Sequence, residues 1–174
     1  DAIVEKADAM VYCNSIHYVH DKEKLLRDIK DKLNNKGVLA FNTSFYDGSH
    51  PEEAQEFYRK WMFRAIRLLY KDYQLKPIRS EKVSSRRQLS PEDYIKLLKD
   101  TGFKVEYVNA TSYNVPVDGF HYISEFKDWI EGILPGVPLE YGKKTLQKSL
   151  RQIFKEMELV TVPRNWLSVR AIAI

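Results

Sequence analysis

Polar and reactive side chains follow a short apolar run near the beginning of the sequence. Residues 9–13 are mostly apolar, and a helix start is expected at Asp21. Ligands of open α/β sheets bind beyond the carboxyl ends of the strands. The candidates at this place are Cys13, Asn14, Ser15 and His17. A histidine titrates close to neutral pH, which suits His17 to act as a general base, with His121 as the second choice.

A second group of candidates follows the next apolar run, Val38 to Thr43. There and farther along the chain, amide, aromatic and guanidinium groups could contact a substrate. Arginine binds a carboxylate or a phosphate through two parallel hydrogen bonds, and aromatic rings supply apolar pocket surface. The candidates are Asn42, Phe45, Tyr46, Arg86, Arg87 and Tyr113.

The main candidates also have a structural explanation. Asn14 could bond backbone groups at the end of a strand, and His17 could be a half-buried residue whose hydrogen bonds are satisfied within the fold. The basic stretch from Gln74 to Gln88 is also typical of a solvated loop. Residue types alone leave both explanations open.

The elements that would position the first group form a βαβ unit. A strand is predicted over 7–13, and Asp21 is a suitable cap for the helix that follows. Gly37 is predicted to end this helix in a left-handed turn, before a strand over 38–43. The two strands should therefore be parallel, with a right-handed crossover. The apolar face of the helix is Leu25, Leu26, Ile29 and Leu33.

Four further helices and two strands are predicted from caps, prolines and hydrophobic spacing. In order, they are a helix from Pro51 to about Tyr73, a helix from Ser90 to Asp100, a strand from Phe103 to about Ala110, a short helix capped by Ser124, a longer helix with Leu146, Leu150, Ile153, Phe154 and Met157 on one face, and a strand from Trp166 to Ile174.

The composition indicates one globular domain. The chain has 174 residues, 44% hydrophobic content and a net charge of +4 from interspersed charges, which indicates neither disorder nor a nucleic-acid groove. Cys13 is the single cysteine, which favours a reducing, cytoplasmic location. No apolar run approaches the roughly 20 residues of a membrane span. We therefore expect no membrane partner, no nucleic-acid partner and no metal.

Four segments resemble the carboxyl-terminal half of class I S-adenosylmethionine-dependent methyltransferases. In that family the fourth strand begins with an Asp, continues with apolar residues, and ends with an Asn followed by an apolar-His pair. The similar segments are Asp8 to Val19, Asp21 to Leu39 with its Asn-x-Gly turn, Leu89 to Val105 with Leu-Ser-Pro-Glu and Thr-Gly-Phe, and Val162 to Leu167, Val-Pro-Arg-Asn-Trp-Leu.

This resemblance implies a Rossmann-like α/β methyltransferase sheet, with parallel strands and an antiparallel C-terminal strand pair. It implies S-adenosylmethionine as the cofactor, and it places His17 close to the reacting centre. A helical insertion or lid at about 46–88 would supply the acceptor pocket. The implied cofactor-binding residues are Cys13, Asn14, Ser15 and His17.

The sequence departs from the family because it lacks the Gly-rich loop and the acidic residue that bind the cofactor. Its 7 glycines include no Gly-x-Gly. At roughly 30 residues per strand-crossover unit, three missing strands correspond to about 90 residues. The prediction is a single partial methyltransferase domain over 1–174, with the N-terminal strands absent from this chain. Alone, it is not expected to behave as a stable, active monomer, because its first strand would present an apolar edge.

The expected function is methyl transfer from S-adenosylmethionine to a small-molecule or carrier-tethered acceptor, with residues upstream of this chain required. An alternative is a non-catalytic half-domain that self-associates or binds a complementary chain through the exposed first strand. A third is nucleotide or RNA binding by the loop from Lys76 to Arg87, near which only Tyr73 offers a stacking aromatic ring.

Overall fold

The computed structural model describes residues 5–78 and 88–174, which form two compact units. The sheet unit contains residues 5–49, 88–112 and 165–174, and the helical unit contains residues 50–78 and 113–164. The candidates Arg86 and Arg87, with most of the predicted basic loop, lie outside the described residues.

The βαβ unit begins as the sequence predicts. β1 spans Ala7–Cys13, and α1 spans Lys22–Lys32. The Asp21 carboxylate accepts a hydrogen bond of 2.8 Å from the backbone N–H three residues on, which satisfies one of the donors that a helix start leaves open. Leu26 and Ile29 of the predicted apolar face are buried and Leu25 is half-buried, whereas Leu33 lies one residue beyond the helix.

The turn after α1 differs from the prediction. α1 ends at Lys32, and β2, Leu33–Thr43, follows at once. Lys36, not Gly37, has a positive φ, of 63°, so the predicted helix stop at Gly37 is wrong. A Cβ on Gly37 would lie 2.9 Å from the carbonyl oxygen of Asn34. Close backbone approach, rather than a left-handed conformation, therefore favours glycine here.

The four strands of the described residues form one sheet in the order β1-β2-β4-β3. β3 spans Phe103–Pro116 and β4 spans Thr161–Ala173. β1 and β2 are parallel, and β4 is antiparallel to β2. This arrangement confirms the predicted α/β fold class. β4 begins before the predicted Trp166, and its first four residues already alternate between half-buried and buried.

One hydrophobic core holds the sheet unit together. Its side chains come from α1, β2, β4 and α3, which spans Pro91–Asp100. As predicted, Ser90 caps α3, and its hydroxyl and the Asp93 carboxylate each bond the backbone N–H of the other residue. Members of this core include Leu26, Ile29, Leu39, Phe41, Tyr94, Leu98, Leu167, Val169 and Ala171.

The helical unit contains two long helices that pack against each other, α2 over Glu52–Tyr73 and α6 over Leu139–Glu156. Trp61 is fully buried, and its indole N–H donates to the carbonyl oxygen of Leu146 at 3.0 Å. The predicted apolar faces of both helices are buried. They are Phe57, Trp61, Ala65, Leu68 and Leu69 on α2, and Leu146, Leu150, Ile153 and Phe154 on α6. Met157, also predicted on the face of α6, follows the helix and is half-buried.

Two short helices, α4 over Val117–Ile123 and α5 over Lys127–Ile133, precede α6. The sequence predicts that Ser124 caps the start of α5, and this prediction is wrong. The Ser124 hydroxyl donates instead to the carbonyl oxygen of Phe120 at 2.8 Å, at the end of α4. The sequence does not predict α4, because a helix of 7 residues depends on tertiary contacts such as those of the buried Phe120.

Candidate functional site

The carboxyl ends of β1 and β2 lie side by side in the sheet unit. The strands are parallel, and Cys13 is in register with Asn42. The backbone N–H of Asn14 donates to the carbonyl oxygen of Asn42 at 3.1 Å, one residue beyond β1. The predicted strand-end residues of the two strands are therefore brought together.

Asn14 joins the two strand ends through its backbone and its side chain. Its backbone N–H also approaches Oδ1 of Asn42 at 2.8 Å, and its own Oδ1 accepts hydrogen bonds from the backbone N–H (2.9 Å) and the hydroxyl (3.2 Å) of Ser44. Asn14 has a φ of 47°, a left-handed conformation that Asn tolerates better than most residues. The backbone at the end of β1 is thus held in a fixed, strained turn.

This geometry leaves two amide N–H₂ groups available at the site. Because a backbone N–H donates to each Oδ1, the side-chain nitrogens of Asn14 and Asn42 are identified as the other amide atoms. Neither nitrogen donates a hydrogen bond within the part of the chain that the structure describes. Both residues are half-buried, so these donors suit a polar ligand.

His17 lies in a single 3₁₀ turn, Ile16–Tyr18, directly after this junction. Its Nδ1 is 3.1 Å from the hydroxyl of Thr43, and its ring lies against Tyr18 and Phe45 with centroid distances of 4.1 and 4.4 Å. Ile16 is 1% exposed and anchors the turn in the core. His17 is therefore held by a hydrogen bond and by two aromatic rings.

The Thr43 hydroxyl can form its hydrogen bond with Nδ1 in either tautomer of the His17 ring. Its oxygen accepts the backbone N–H of Phe45 at 3.1 Å and has a second lone pair for a proton on His17 Nδ1. When the proton is on Nδ1, the ring donates to the hydroxyl and Nε2 carries the lone pair that a base needs. When the proton is on Nε2, the hydroxyl donates to Nδ1. The first arrangement is the one that a general base requires.

The other predicted residues of the sheet unit differ in accessibility. The Cys13 thiol is exposed, and Ser15 and Phe45 are half-buried. Tyr46 is 2% exposed and belongs to the hydrophobic core, which is a structural role for its ring. Their roles toward a ligand stay predictions.

Two further candidates lie in the helical unit. Tyr113 is in β3 and is 54% exposed. His121 is half-buried in α4, and its carbonyl oxygen accepts a hydrogen bond of 3.3 Å from Gln147.

Sequence reasoning did not identify Thr43 and Ser44 as site residues. Both are buried, at 0% and 3% exposure, and both bond the candidates Asn14 or His17. One sequence pattern could have indicated them: two hydroxyl residues directly follow Asn42 at the carboxyl end of an apolar strand.

The helical unit contains a buried polar cluster that the sequence did not indicate. Arg164 is 4% exposed, and its Nη1 donates to the Tyr58 hydroxyl at 3.1 Å and to Nε2 of His50 at 3.2 Å. Because a guanidinium has no acceptor, His50 Nε2 must be unprotonated. Burial, and then the charge of Arg164, lower the pKa of His50 from 6.5 to about 4, and burial raises the pKa of Tyr58.

Metal-binding clusters and membrane-spanning helices are absent from the described residues. Within residues 5–78 and 88–174, no group of three or more His, Cys, Asp or Glu side chains is placed to hold a metal ion. No helix in these ranges combines the length and the apolar character that a membrane crossing requires.

No protein-family model and no curated protein sequence matches the chain. Solved structures do. A candidate methyltransferase from Bacillus halodurans matches with a TM-score of 0.50 and 15% identity, over 97% of this chain and 70% of that chain. A candidate sarcosine dimethylglycine methyltransferase from Galdieria sulphuraria matches with a TM-score of 0.42 and 12% identity, over 97% and 53%. A cyclopropane-fatty-acyl-phospholipid synthase-like protein from Lactobacillus casei matches with a TM-score of 0.48 and 12% identity, over 97% and 57%.

The chain thus spans 70% of the first of these structures and little more than half of the other two. At such low identity the first match is informative about the fold. This match shows that the chain has the Rossmann-like fold of the class I S-adenosylmethionine-dependent methyltransferases, over the part of that fold that it spans.

Proposed function

We propose that the protein transfers the methyl group of S-adenosylmethionine to a small-molecule acceptor, free or tethered to a carrier, in the cytoplasm. The observation that supports this most is the junction of β1 and β2, where Asn14, Asn42 and His17 are held together. Residues upstream of this chain would complete the cofactor site. We assign Asn42 and Phe45, at the carboxyl end of β2, to the acceptor side of the site.

The residues at the junction fit part of such a cofactor. S-adenosylmethionine carries a carboxylate and ribose hydroxyls, which accept hydrogen bonds. The side-chain N–H₂ groups of Asn14 and Asn42 are donors that no described residue uses, and Ser15 adds a hydroxyl. Cys13 is exposed beside them. We assign Cys13, Asn14, Ser15 and His17 to the cofactor side of the site.

The chemistry asks chiefly for alignment. When bound, the cofactor supplies a methyl group on a positively charged sulfur, which keeps the electron pair of the broken bond and leaves as a neutral thioether. Aligning acceptor and methyl group can account for several kcal/mol of the barrier. If the acceptor is a hydroxyl or an activated carbon, His17 would take its proton on Nε2, a buried atom that substrate binding must expose, while Thr43 holds Nδ1.

Calorimetric titration of the full-length protein with S-adenosylmethionine tests the cofactor assignment. We expect saturable binding that weakens in Asn14→Ala. No heat of binding in a folded protein would defeat the proposal.

Replacing His17 tests the base. His17→Ala should lower turnover at least roughly tenfold, since a positioned base contributes that much or more. The control is His20→Ala, because His20 is exposed on the same segment and its loss should leave turnover unchanged. An unaltered rate in His17→Ala would restrict His17 to a structural role.

One observation favours the alternative of a non-catalytic binding partner. β1 is at one end of the sheet order, and Val11 in its centre is 66% exposed. Such an edge can pair with a strand of a second copy or of a complementary chain. Under this alternative, Val11→Lys would abolish association in analytical ultracentrifugation, and the protein would not bind S-adenosylmethionine.

A further inference from the structure

The middle of α2 carries charges of one sign. Between residues 57 and 71 there is no Asp or Glu, and the acidic residues of the helix lie toward its two ends. Like charges along several helical turns produce a local positive field. The cations are Arg59, Lys60, Arg64, Arg67 and Lys71, of which Lys60 is paired with Glu56 at 2.9 Å.

Large apolar side chains project from the same stretch. Phe63 is 64% exposed, Ile66 is 39% exposed and Tyr70 is 49% exposed. Spacings of three and four residues place them on one face of the helix. Arg59 and Arg67 lie four residues to either side of Phe63, so cations flank the apolar row. We call Arg59, Phe63, Ile66, Arg67, Tyr70 and Lys71 the outer face of α2.

Cations also surround a surface cavity at the edge of this face. Arg64, Arg67, Lys71 and the nearly buried Leu68 line an open cavity of about 370 Å³. Arg64 is paired with Glu156 of α6 at 2.6 Å and bonded to Gln152 at 3.3 Å. Arg67 and Lys71 form no ion pair with any described residue. Two of the three cations thus remain available to an anion.

We propose that the outer face of α2 binds the surface of a bilayer that contains anionic phospholipids. The apolar side chains project outward from the helix surface, so they can insert into the interfacial region of a bilayer. The phosphate groups of the lipids would neutralise the flanking cations. An aliphatic side chain such as Ile66 does not stack on nucleobases, which disfavours a single-stranded nucleic acid. The expectation of no membrane partner rests on the lack of a spanning run, which peripheral binding does not need.

Vesicle sedimentation tests this binding. The full-length protein is mixed with vesicles of phosphatidylcholine alone, or of phosphatidylcholine with phosphatidylserine. We expect sedimentation with the mixed vesicles only. At roughly 1 kcal/mol per basic residue near an anionic surface, the double variant Arg67→Gln, Lys71→Gln should bind about thirtyfold more weakly.

A matched control removes the same charge from the other helix. Arg151 and Lys155 of α6 are also exposed, four residues apart and outside the ion pairs of the described residues. The exposed apolar residues of α6, Leu139 and Tyr141, lie at its other end. Arg151→Gln with Lys155→Gln should therefore change vesicle binding much less. Equal weakening by the two double variants would overturn a specific role for α2.

A second pair of variants tests the apolar row. Phe63→Ser should weaken sedimentation, whereas Tyr122→Ser, at a residue of α4 that is 63% exposed, should not. Equal sedimentation with both vesicle types, or none with either, would refute the proposal. A competition experiment gives a further test. The proposal would also be refuted if single-stranded RNA or an acidic peptide displaced the protein from vesicles at concentrations at which inositol phosphate did not. None of these readouts depends on methyl transfer.

Discussion

Nδ1 of His17 lies 3.1 Å from the hydroxyl of Thr43. The same hydroxyl accepts the backbone N–H of Phe45, also at 3.1 Å, so one fully buried side chain holds both the ring and the loop after β2. Thr43→Val keeps the shape and removes the hydroxyl. We expect a loss of about 1 kcal/mol in unfolding free energy, since the N–H of the half-buried Phe45 loses a hydrogen bond.

The same substitution should also slow turnover roughly tenfold if His17 is a base. A positioning effect is distinguished by the pH-rate profile, in which the limb assigned to His17 should shift or disappear. Thr43→Ser, which restores the hydroxyl, should recover both the profile and the rate. A Thr43→Val enzyme with reduced stability and an unchanged pH-rate profile would contradict the role given to His17.

Asn14 combines a left-handed backbone with a bridging side chain, and two substitutions separate these properties. Asn14→Gly removes the bonds to Ser44 but accepts the φ of 47°. Asn14→Ala removes the same bonds and adds backbone strain of about 1 kcal/mol. The unfolding free energy measured in urea should therefore be highest for the wild type, lower for Asn14→Gly and lowest for Asn14→Ala. Equal stability of the two variants would show that the turn relaxes without cost.

His50 should make stability depend on pH. Its pKa is lowered to about 4 by burial and by Arg164, against 6.5 when unperturbed, so the unfolded chain binds the proton more readily. Stability should rise with pH between about 4 and 6.5 and fall as the pH drops through that window. The lowered pKa of His50 corresponds to a change of at most roughly 3 kcal/mol in the unfolding free energy across this window.

Denaturant unfolding of wild type and His50→Gln across this range measures the effect. The variant keeps an acceptor for Arg164 but cannot titrate, so its stability should fall less toward acid pH. His20→Gln, at an exposed histidine, should behave like the wild type. Parallel pH profiles of wild type and His50→Gln would argue against a neutral buried His50.

Two helical glycines should respond oppositely to alanine. A Cβ on Gly142 of α6 would clash with Cγ2 of the buried Ile130, whereas nothing lies within 4 Å of a Cβ on Gly132 of α5. Gly142→Ala should lose about 1–3 kcal/mol through overpacking. Gly132→Ala should gain up to about 1 kcal/mol from helix propensity. Thermal unfolding measures both effects. If the midpoint temperature shifted in the same direction in both variants, this packing would be contradicted.

Local sequence patterns were sufficient for most elements of the fold. β1 over 7–13, the cap at Asp21, the long helix that ends at Tyr73 and the capping box at Ser90 all agree with the structure. Each depends on contacts between residues close in sequence or on hydrophobic spacing, which a linear pattern records. The predicted parallel strand pair agrees as well, because a helical crossover between adjacent strands permits little else.

Tertiary structure decided the features that depend on distant neighbours. Gly37 is required by the close approach of Asn34 and not by a left-handed turn, and α4 forms where Phe120 is buried. The hydroxyls of Thr43 and Ser44 became part of the candidate site because the parallel pairing of β1 and β2 sets them beside His17 and Asn14, residues 26 and 30 positions away. The sequence by itself therefore determined which side chains end the strands, through hydrophobic patterning. Only the packed sheet decided which of them touch, because hydrogen bonds across strands depend on register and not on local order.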